Sequence, residues 1–264
     1  MSRKHDLTYG SHLQLARLLG AMDPVSDVPD EVLFITQHQT SELWIRLMLH
    51  ELEQARNAIS KRHIPAATKA LERVAVVLTH LVASWDVLRT LAPEDFSRFR
   101  GALGSASGFQ SHQYRLLEFM LGNRVPSRLQ EHGANRDAIA LLEAELSRPS
   151  IYEGLSVSVA GELQVTLPPD AFRRDAPHTA HPSILQLWRR VQDPDAGHAG
   201  YRALAGQLVE IEDRFRCWRF NHVTTVERVI GTRRGTGGTS GVGYLRKMLD
   251  VELFPELWQL RAEI

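Results

Sequence analysis

The sequence predicts an all-α protein. Two observations carry that expectation: apolar residues recur in steps of three and four along most of the chain, and period-two alternation is confined to one short run. No internal repeat of 20–50 residues interrupts the pattern. After Pro29, with Asp30 as cap, Leu33, Trp44, Leu47, Met48, Ala55 and Ile59 mark one helix reaching Ile59. From Ala66 to Leu91 a second stripe holds Leu71, Val74, Leu78, Leu81, Trp85 and Leu88. Pro93 followed by Glu94 and Asp95 opens a third helix, because proline suits the first position and acids suit the positive end of the dipole. Gly101 to Gly108 is small and polar and reads as a turn or loop. Phe109 to Leu121 is helical again, closed by Gly122 and Asn123.

Between Ser147 and Pro182 the periodicity weakens. Pro149, Pro168, Pro169 and Pro177 break it, and the alternation Leu155-Ser-Val-Ser-Val159 predicts a short strand. Too little apolar material lies there for a separate core, so residues 1–264 are expected to form one domain with a loop-rich excursion around 147–182. Ser183–Val191 and Gly200–Gly231 return to helix.

Composition excludes several function classes. With 31 basic and 31 acidic residues the formal net charge is zero, which leaves no excess cation to displace counterions from a nucleic acid. Apolar residues make up 43%, too many for a disordered chain. The single Cys217 rules out an intrachain disulfide or a Cys-rich metal cluster and is expected to be a small buried side chain. Uncharged stretches such as Gly101–Tyr114 fall short of the roughly 18–20 apolar residues of a membrane span. The start, Met-Ser-Arg-Lys-His-Asp, has no apolar signal core, so no membrane partner and a cytoplasmic location are expected.

Chemistry concentrates in three segments. The last long helix carries Leu208, Ile211, Phe215, Trp218, His222, Val226 and Val229 on one stripe, placing an imidazole where the pattern asks for an apolar residue. Such a ring either bonds a backbone carbonyl or coordinates something, since burying it alone costs about 1–3 kcal/mol. The helix runs into a loop holding Gly235, Thr236, Gly237 and further glycines; it fits neither the dinucleotide fingerprint nor a P-loop, yet allows close backbone approach to a ligand. Phe34 and His38 lie four residues apart on one helical face, as do Phe96 and Arg100. Two histidines far apart in sequence, without nearby carboxylate co-ligands, disfavour a tight non-haem metal site and are compatible with haem. Arg100 is either a surface charge or a fork for a carboxylate.

Assembled in order, five blocks resemble the tryptophan 2,3-dioxygenase family: Leu7-Thr-Tyr-Gly10, Leu33-Phe-Ile-Thr-Gln-His-Gln-Thr-Ser-Glu-Leu-Trp44, Phe99-Arg-Gly-Ala-Leu-Gly-Ser-Ala-Ser-Gly-Phe-Gln-Ser111, Trp218-Arg-Phe-Asn-His222 and Arg234-Gly-Thr-Gly-Gly-Thr-Ser-Gly241. The resemblance implies a helical homotetramer that binds haem b and inserts O2 across the indole C2–C3 bond of L-tryptophan, giving N-formyl-L-kynurenine. By that resemblance His222 is the iron ligand and His38 the catalytic histidine that contacts the indole nitrogen. Arg100 grips the substrate carboxylate, and Thr236 meets the amino acid's polar end. Phe34, Phe96, Leu103 and Ser107 line the pocket, Gly235, Gly237 and Ser107 adjoin the haem, and Tyr9 and His12 belong to the N-terminal segment donated to a neighbouring subunit. His12 stands where the family commonly has tyrosine and Ala16 where it commonly has aspartate. Those departures imply an alternative: a relative acting on a modified tryptophan, such as a β-methyl one, as a monooxygenase yielding an oxindole. A non-catalytic helical interaction protein is the third reading.

Overall fold

A computed structural model describes residues 7–133, 135–231, 233 and 242–263. All regular structure among them is helical, and none is strand. In chain order the helices are α1 (Tyr9–Leu13), α2 (Leu15–Leu19), α3 (Asp30–Ser60), α4 (Ile64–Leu88), α5 (Pro93–Phe99), α6 (His112–Met120), α7 (Arg136–Ser147), α8 (Ile151–Glu162), α9 (Pro182–Gln192), α10 (Ala199–Ile230), α11 (Val242–Lys247) and α12 (Pro255–Arg261). Short 3-10 turns join several of them. No single helix among the described residues is long and apolar enough to cross a membrane.

Helix α4 is the centre of the bundle, packed between α3 and α10. Its mostly apolar sequence explains the position: Ala67, Leu71, Val74, Leu78 and Leu81 are all buried, and small Ala70 and Ala75 let neighbours approach. Helix α10 runs alongside α4, with Ile64 against Gly200 at one end and Trp85 against His222 at the other. The main core joins Met48 and Leu52 of α3, Leu71 and Leu78 of α4, and Leu208, Ile211 and Phe215 of α10. A separate cluster forms where the start of α3, the end of α4, α5 and the second half of α10 converge. It holds Val28, Trp85, Leu88, Leu91, Phe96 and Phe99.

Buried carboxylates tie the periphery to this bundle. Glu212, fully buried in α10, accepts from the Leu253 and Phe254 amides at 3.0 and 2.9 Å and from Arg216, fixing the entry to α12. Glu256 at the start of α12 accepts from the Tyr152 hydroxyl at 3.1 Å, from the His181 amide at 2.8 Å, and pairs with His178 at 3.0 Å.

The structure corrects the reading of 147–182. The predicted strand at 155–159 is the middle of α8. Alternation signals a strand only when the polar side chains face water, and here neither serine does. Ser156 Oγ accepts from Trp188 Nε1 at 3.1 Å, and the Ser158 hydroxyl meets the Tyr201 hydroxyl at 3.1 Å. A capping box, Ser150 to the Glu153 amide and Glu153 back to the Ser150 amide, starts the helix. The irregular part shrinks to residues 163–181. Cys217, expected buried, is exposed.

Candidate active site

Helix α3 presents Phe34 and His38 on one face, one turn apart, with ring centroids 4.2 Å apart. His38 Nδ1 lies 2.7 Å from the Phe34 carbonyl oxygen. A carbonyl only accepts, so Nδ1 carries the proton and Nε2 keeps its lone pair. Desolvation depresses the pKa of this imidazole, outweighing the opposing pull of the Phe34 carbonyl and Glu42, so the ring is neutral at pH 7. The ring is nonetheless exposed on one side, as befits a residue on the wall of a concavity. His38, Gln39, Glu42, Arg46 and His112 also border a cavity of about 620 Å³ alongside Leu18 and Ala21.

Behind Phe34 stand two rings from α5. Phe34 lies 5.7 Å from Phe96 and 5.6 Å from Phe99, and these two meet edge-on at 5.2 Å. Phe99 is fully buried and Phe96 nearly so. Helix α5 begins with Pro93 and two acids, as the sequence predicts, and closes with the Arg100 amide bonded to the Phe96 carbonyl. Arg100 is thus one turn beyond Phe96 and half-buried, at the head of a 3-10 turn that carries Leu103 onto the same cluster. Ser107 caps the next turn: its Oγ accepts from the Phe109 amide at 3.4 Å and its amide donates to Gln110 Oε1 at 3.3 Å. The hydroxyl keeps its own proton to donate.

His222 faces this wall from α10. Its ring stacks on Trp85, with centroids 5.0 Å apart and planes 17° apart, and tilts against Trp218 at 5.5 Å. Among the described residues no hydrogen-bond partner reaches either nitrogen. Burial, then the proximity of His38, pushes its pKa down to about 4, so this ring too is neutral. The Trp85 indole N–H beside it is buried and has no partner among the described residues. His222 is half-buried, closed by the tryptophans and open on another edge. An imidazole with an uncommitted lone pair in an apolar recess is chemically a ligand in waiting.

The structure therefore gathers Phe34, His38, Phe96, Leu103 and His222 around one aromatic cluster, with Arg100 and Ser107 on the adjoining turn. Tyr9 and His12 are not part of it: both lie on α1, whose side chains are exposed, Tyr9 at 78%. Gly235, Thr236 and Gly237 lie outside the described residues. Sequence reasoning missed Trp85, Trp218 and Phe99 as site residues. Trp85 and Trp218 each sit on a helical stripe of core residues, and Phe99 immediately precedes Arg100. Trp218, one helical turn from His222, and Phe99, next to Arg100, could have been marked by those neighbours; no local signal marked Trp85.

The helices and the aromatic cluster define a class: an all-α protein that sets two neutral imidazoles, from α3 and α10, against one group of aromatic rings. Within that class the chain belongs to the tryptophan 2,3-dioxygenase family. The family profile of that description matches residues 1–150 and 191–264. A tryptophan 2,3-dioxygenase of Ruegeria pomeroyi is 50% identical over 265 residues, covering 100% of this chain and 95% of that protein. Those of Ruegeria sp. (strain TM1040) and Bradyrhizobium diazoefficiens are 51% and 49% identical, over 98% and 97% of this chain and 93% and 92% of their own length. The family is one of oxidoreductases, and this chain is an enzyme of it.

Proposed function

We propose that this protein oxidises L-tryptophan to N-formyl-L-kynurenine with O2 at a haem b held by His222. One observation carries the reading: on α10 a neutral imidazole, without a hydrogen-bond partner among the described residues, stacks on Trp85 in the same aromatic cluster whose Phe34 packs against a second neutral imidazole on α3. The residues present fit haem. His222 offers a lone pair to iron, the buried Trp85 indole N–H beside it is a donor without a partner among the described residues, and the phenylalanines supply an apolar wall. Bound haem iron supplies the O2 activation that side chains cannot.

The chain's own residues do the positioning. His38, its Nδ1 proton committed to Phe34, presents Nε2 as an acceptor for the indole N–H and orients the ring without having to take its proton. Phe34 and Phe96 hold the indole by apolar contact. Arg100 grips the carboxylate with a planar fork, and Thr236 meets the amino acid's polar end. Fixing both ends of the amino acid places the indole C2–C3 bond reproducibly, and rates of such reactions are sensitive to displacements of about 1 Å. Leu103 and Ser107 close the pocket, with Gly235, Gly237 and Ser107 against the haem edge. Tyr9 and His12 complete the site of a neighbouring copy in a homotetramer; the segment from Leu7 through α2 leaves Leu7, Tyr9 and Leu19 more than 70% exposed, side chains that such a neighbour would cover.

The relatives named above favour dioxygenation, and no observation favours the oxindole-forming alternative on a modified tryptophan. The test is an optical spectrum of the reduced protein with and without L-tryptophan, then product mass under labelled O2. A haem band that responds to tryptophan and a product carrying two labelled atoms are expected. Haem-loaded protein that leaves tryptophan intact would refute the assignment, and a single labelled atom would move it to the alternative.

A further inference from the structure

Beside His222 lies a polar cluster for which the substrate and the iron have no direct use. Arg89 caps the C-terminus of α4, one turn beyond Trp85 and on the same face, since its amide bonds the Trp85 carbonyl at 2.9 Å. Its guanidinium reaches across to α10. Nε donates to Thr225 Oγ1 at 3.2 Å, and Nη2 donates to Thr224 Oγ1 at 2.9 Å and to Asn221 Oδ1. Nη1 is held from the other side by Asp86 at 3.0 Å. All three nitrogens are therefore engaged, and three acceptors flank position 222 on the helix.

The acceptors are themselves fixed. Asn221 Nδ2 donates to the Cys217 carbonyl at 3.1 Å, and the Thr224 hydroxyl donates to the Asn221 carbonyl at 3.1 Å. Thr225 is almost fully buried. A planar fork bound to residues 221, 224 and 225 resists both rotation of α10 about its axis and sliding along α4. Those are the two motions that would turn the His222 ring off the face of Trp85. The imidazole has no hydrogen bond of its own among the described residues, so its orientation depends on the stack and on the helix that carries it.

We infer that Arg89 is the positioning residue of the His222 imidazole, its guanidinium locking the turn of α10 that bears the ring against the end of α4 that bears Trp85. Resting on the assignment of His222 as iron ligand, the inference adds a residue that touches neither iron nor substrate.

The test uses the haem-loaded enzyme and three variants: Arg89→Met, Arg89→Lys and Thr224→Val. Two readouts are taken, the iron–histidine stretching band of the ferrous protein and the rate at which haem transfers to apomyoglobin. Arg89→Met is expected to broaden or shift the band and to speed haem loss by roughly 10–100-fold, the range for groups that orient a metal ligand. Arg89→Lys keeps the charge but not the fork and should recover only part of that loss. Thr224→Val removes one arm, with a smaller shift in the same direction. It reports even if Arg89→Met does not fold. A wild-type band and transfer rate in Arg89→Lys and Thr224→Val, or a lowered melting temperature without any change in the band, would overturn the inference. Failure of the parent reading looks different: the wild-type protein itself would show no iron–histidine band.

Discussion

The two halves of α10 carry one continuous stripe and meet different fates. In the first half Leu208, Ile211 and Phe215 are sealed, each at most 1% exposed, between α4 and the rest of the bundle. In the second half Trp218, His222, Val226 and Val229 stay only half-buried although the spacing continues unbroken. The first half is packed into the main core, whereas the second borders the aromatic cluster and is left partly exposed. Periodicity reports which side of a helix is apolar; it does not say whether protein or ligand fills the space opposite. An imidazole in the sealed half would need a polar partner inside the core. In the open half it can wait for one.

Substitutions sharpen this contrast, and the largest effect belongs to the open half. His222→Ala should abolish stable iron coordination and turnover while leaving the helical circular dichroism spectrum in place. A variant that keeps a histidine-ligated haem spectrum would break the comparison. In the sealed half Phe215→Ala should cost about 3–5 kcal/mol in denaturant unfolding, the usual toll of deleting a core aromatic ring. Val226→Ala, on the same stripe but only half-buried, should cost less than about 1 kcal/mol, and equal losses at the two positions would erase the distinction.

Arg100→Ala comes next. Loss of a charge-assisted contact worth about 1.5–3 kcal/mol should raise KM for L-tryptophan by roughly 10–100-fold, with a smaller change in kcat. His38→Ala should slow turnover by only about 2–10-fold, as expected for one neutral hydrogen bond of about 0.5–1.5 kcal/mol; total loss of activity would make the residue an obligatory base instead. The mildest test is titration of the haem-free protein. His222 takes a proton near 6.5 when unfolded but only at about 4 in the fold, so the unfolded chain binds the proton first as pH falls. The stability of the haem-free protein should decline as pH drops from about 6.5 to about 4, and the His222→Ala variant should decline less.

Much of this was legible beforehand, for identifiable reasons. The long helices α3, α4 and α10 were readable because each buries a stripe that repeats over several turns, and α5 because proline and two acids announce its start. His222 stood out because a polar ring on such a stripe is an exception to the pattern, and His38 because it shares a helical face with Phe34. The strand expected at 155–159 failed because Ser156 and Ser158 are buried and satisfied by Trp188 and Tyr201, which no local pattern reveals. Ser150-Ile-Tyr-Glu153 was the signal that outranked the alternation. Helices α7 and α12 had similar openings, Asn135 with Asp137 and Pro255 with Glu256; α12 has only seven residues, and α7 buries just Ala138, Leu142 and Glu145, one of them a carboxylate, so its apolar stripe is thin. The exposed thiol of Cys217 illustrates the same limit, since its side of α10 depends on what packs there. Trp85 and Trp218 went unread as site residues because a tryptophan on a core stripe looks the same whether it packs against leucine or against an imidazole.

The stretch that the family profile leaves unmatched, residues 151–190, supplies Tyr152, Leu155, Val159, Ile184 and Trp188, all at 2% exposure or less. It is tied to α12 through Glu256, and among the described residues its rings stack on one another and on Phe254 rather than on Trp85, Trp218 or His222. Anyone trimming the protein to a minimal catalyst would be tempted to cut there first. The excision would remove ballast rather than ornament, and the shortened chain should come out of the cell as inclusion bodies although every residue assigned to the chemistry had been kept.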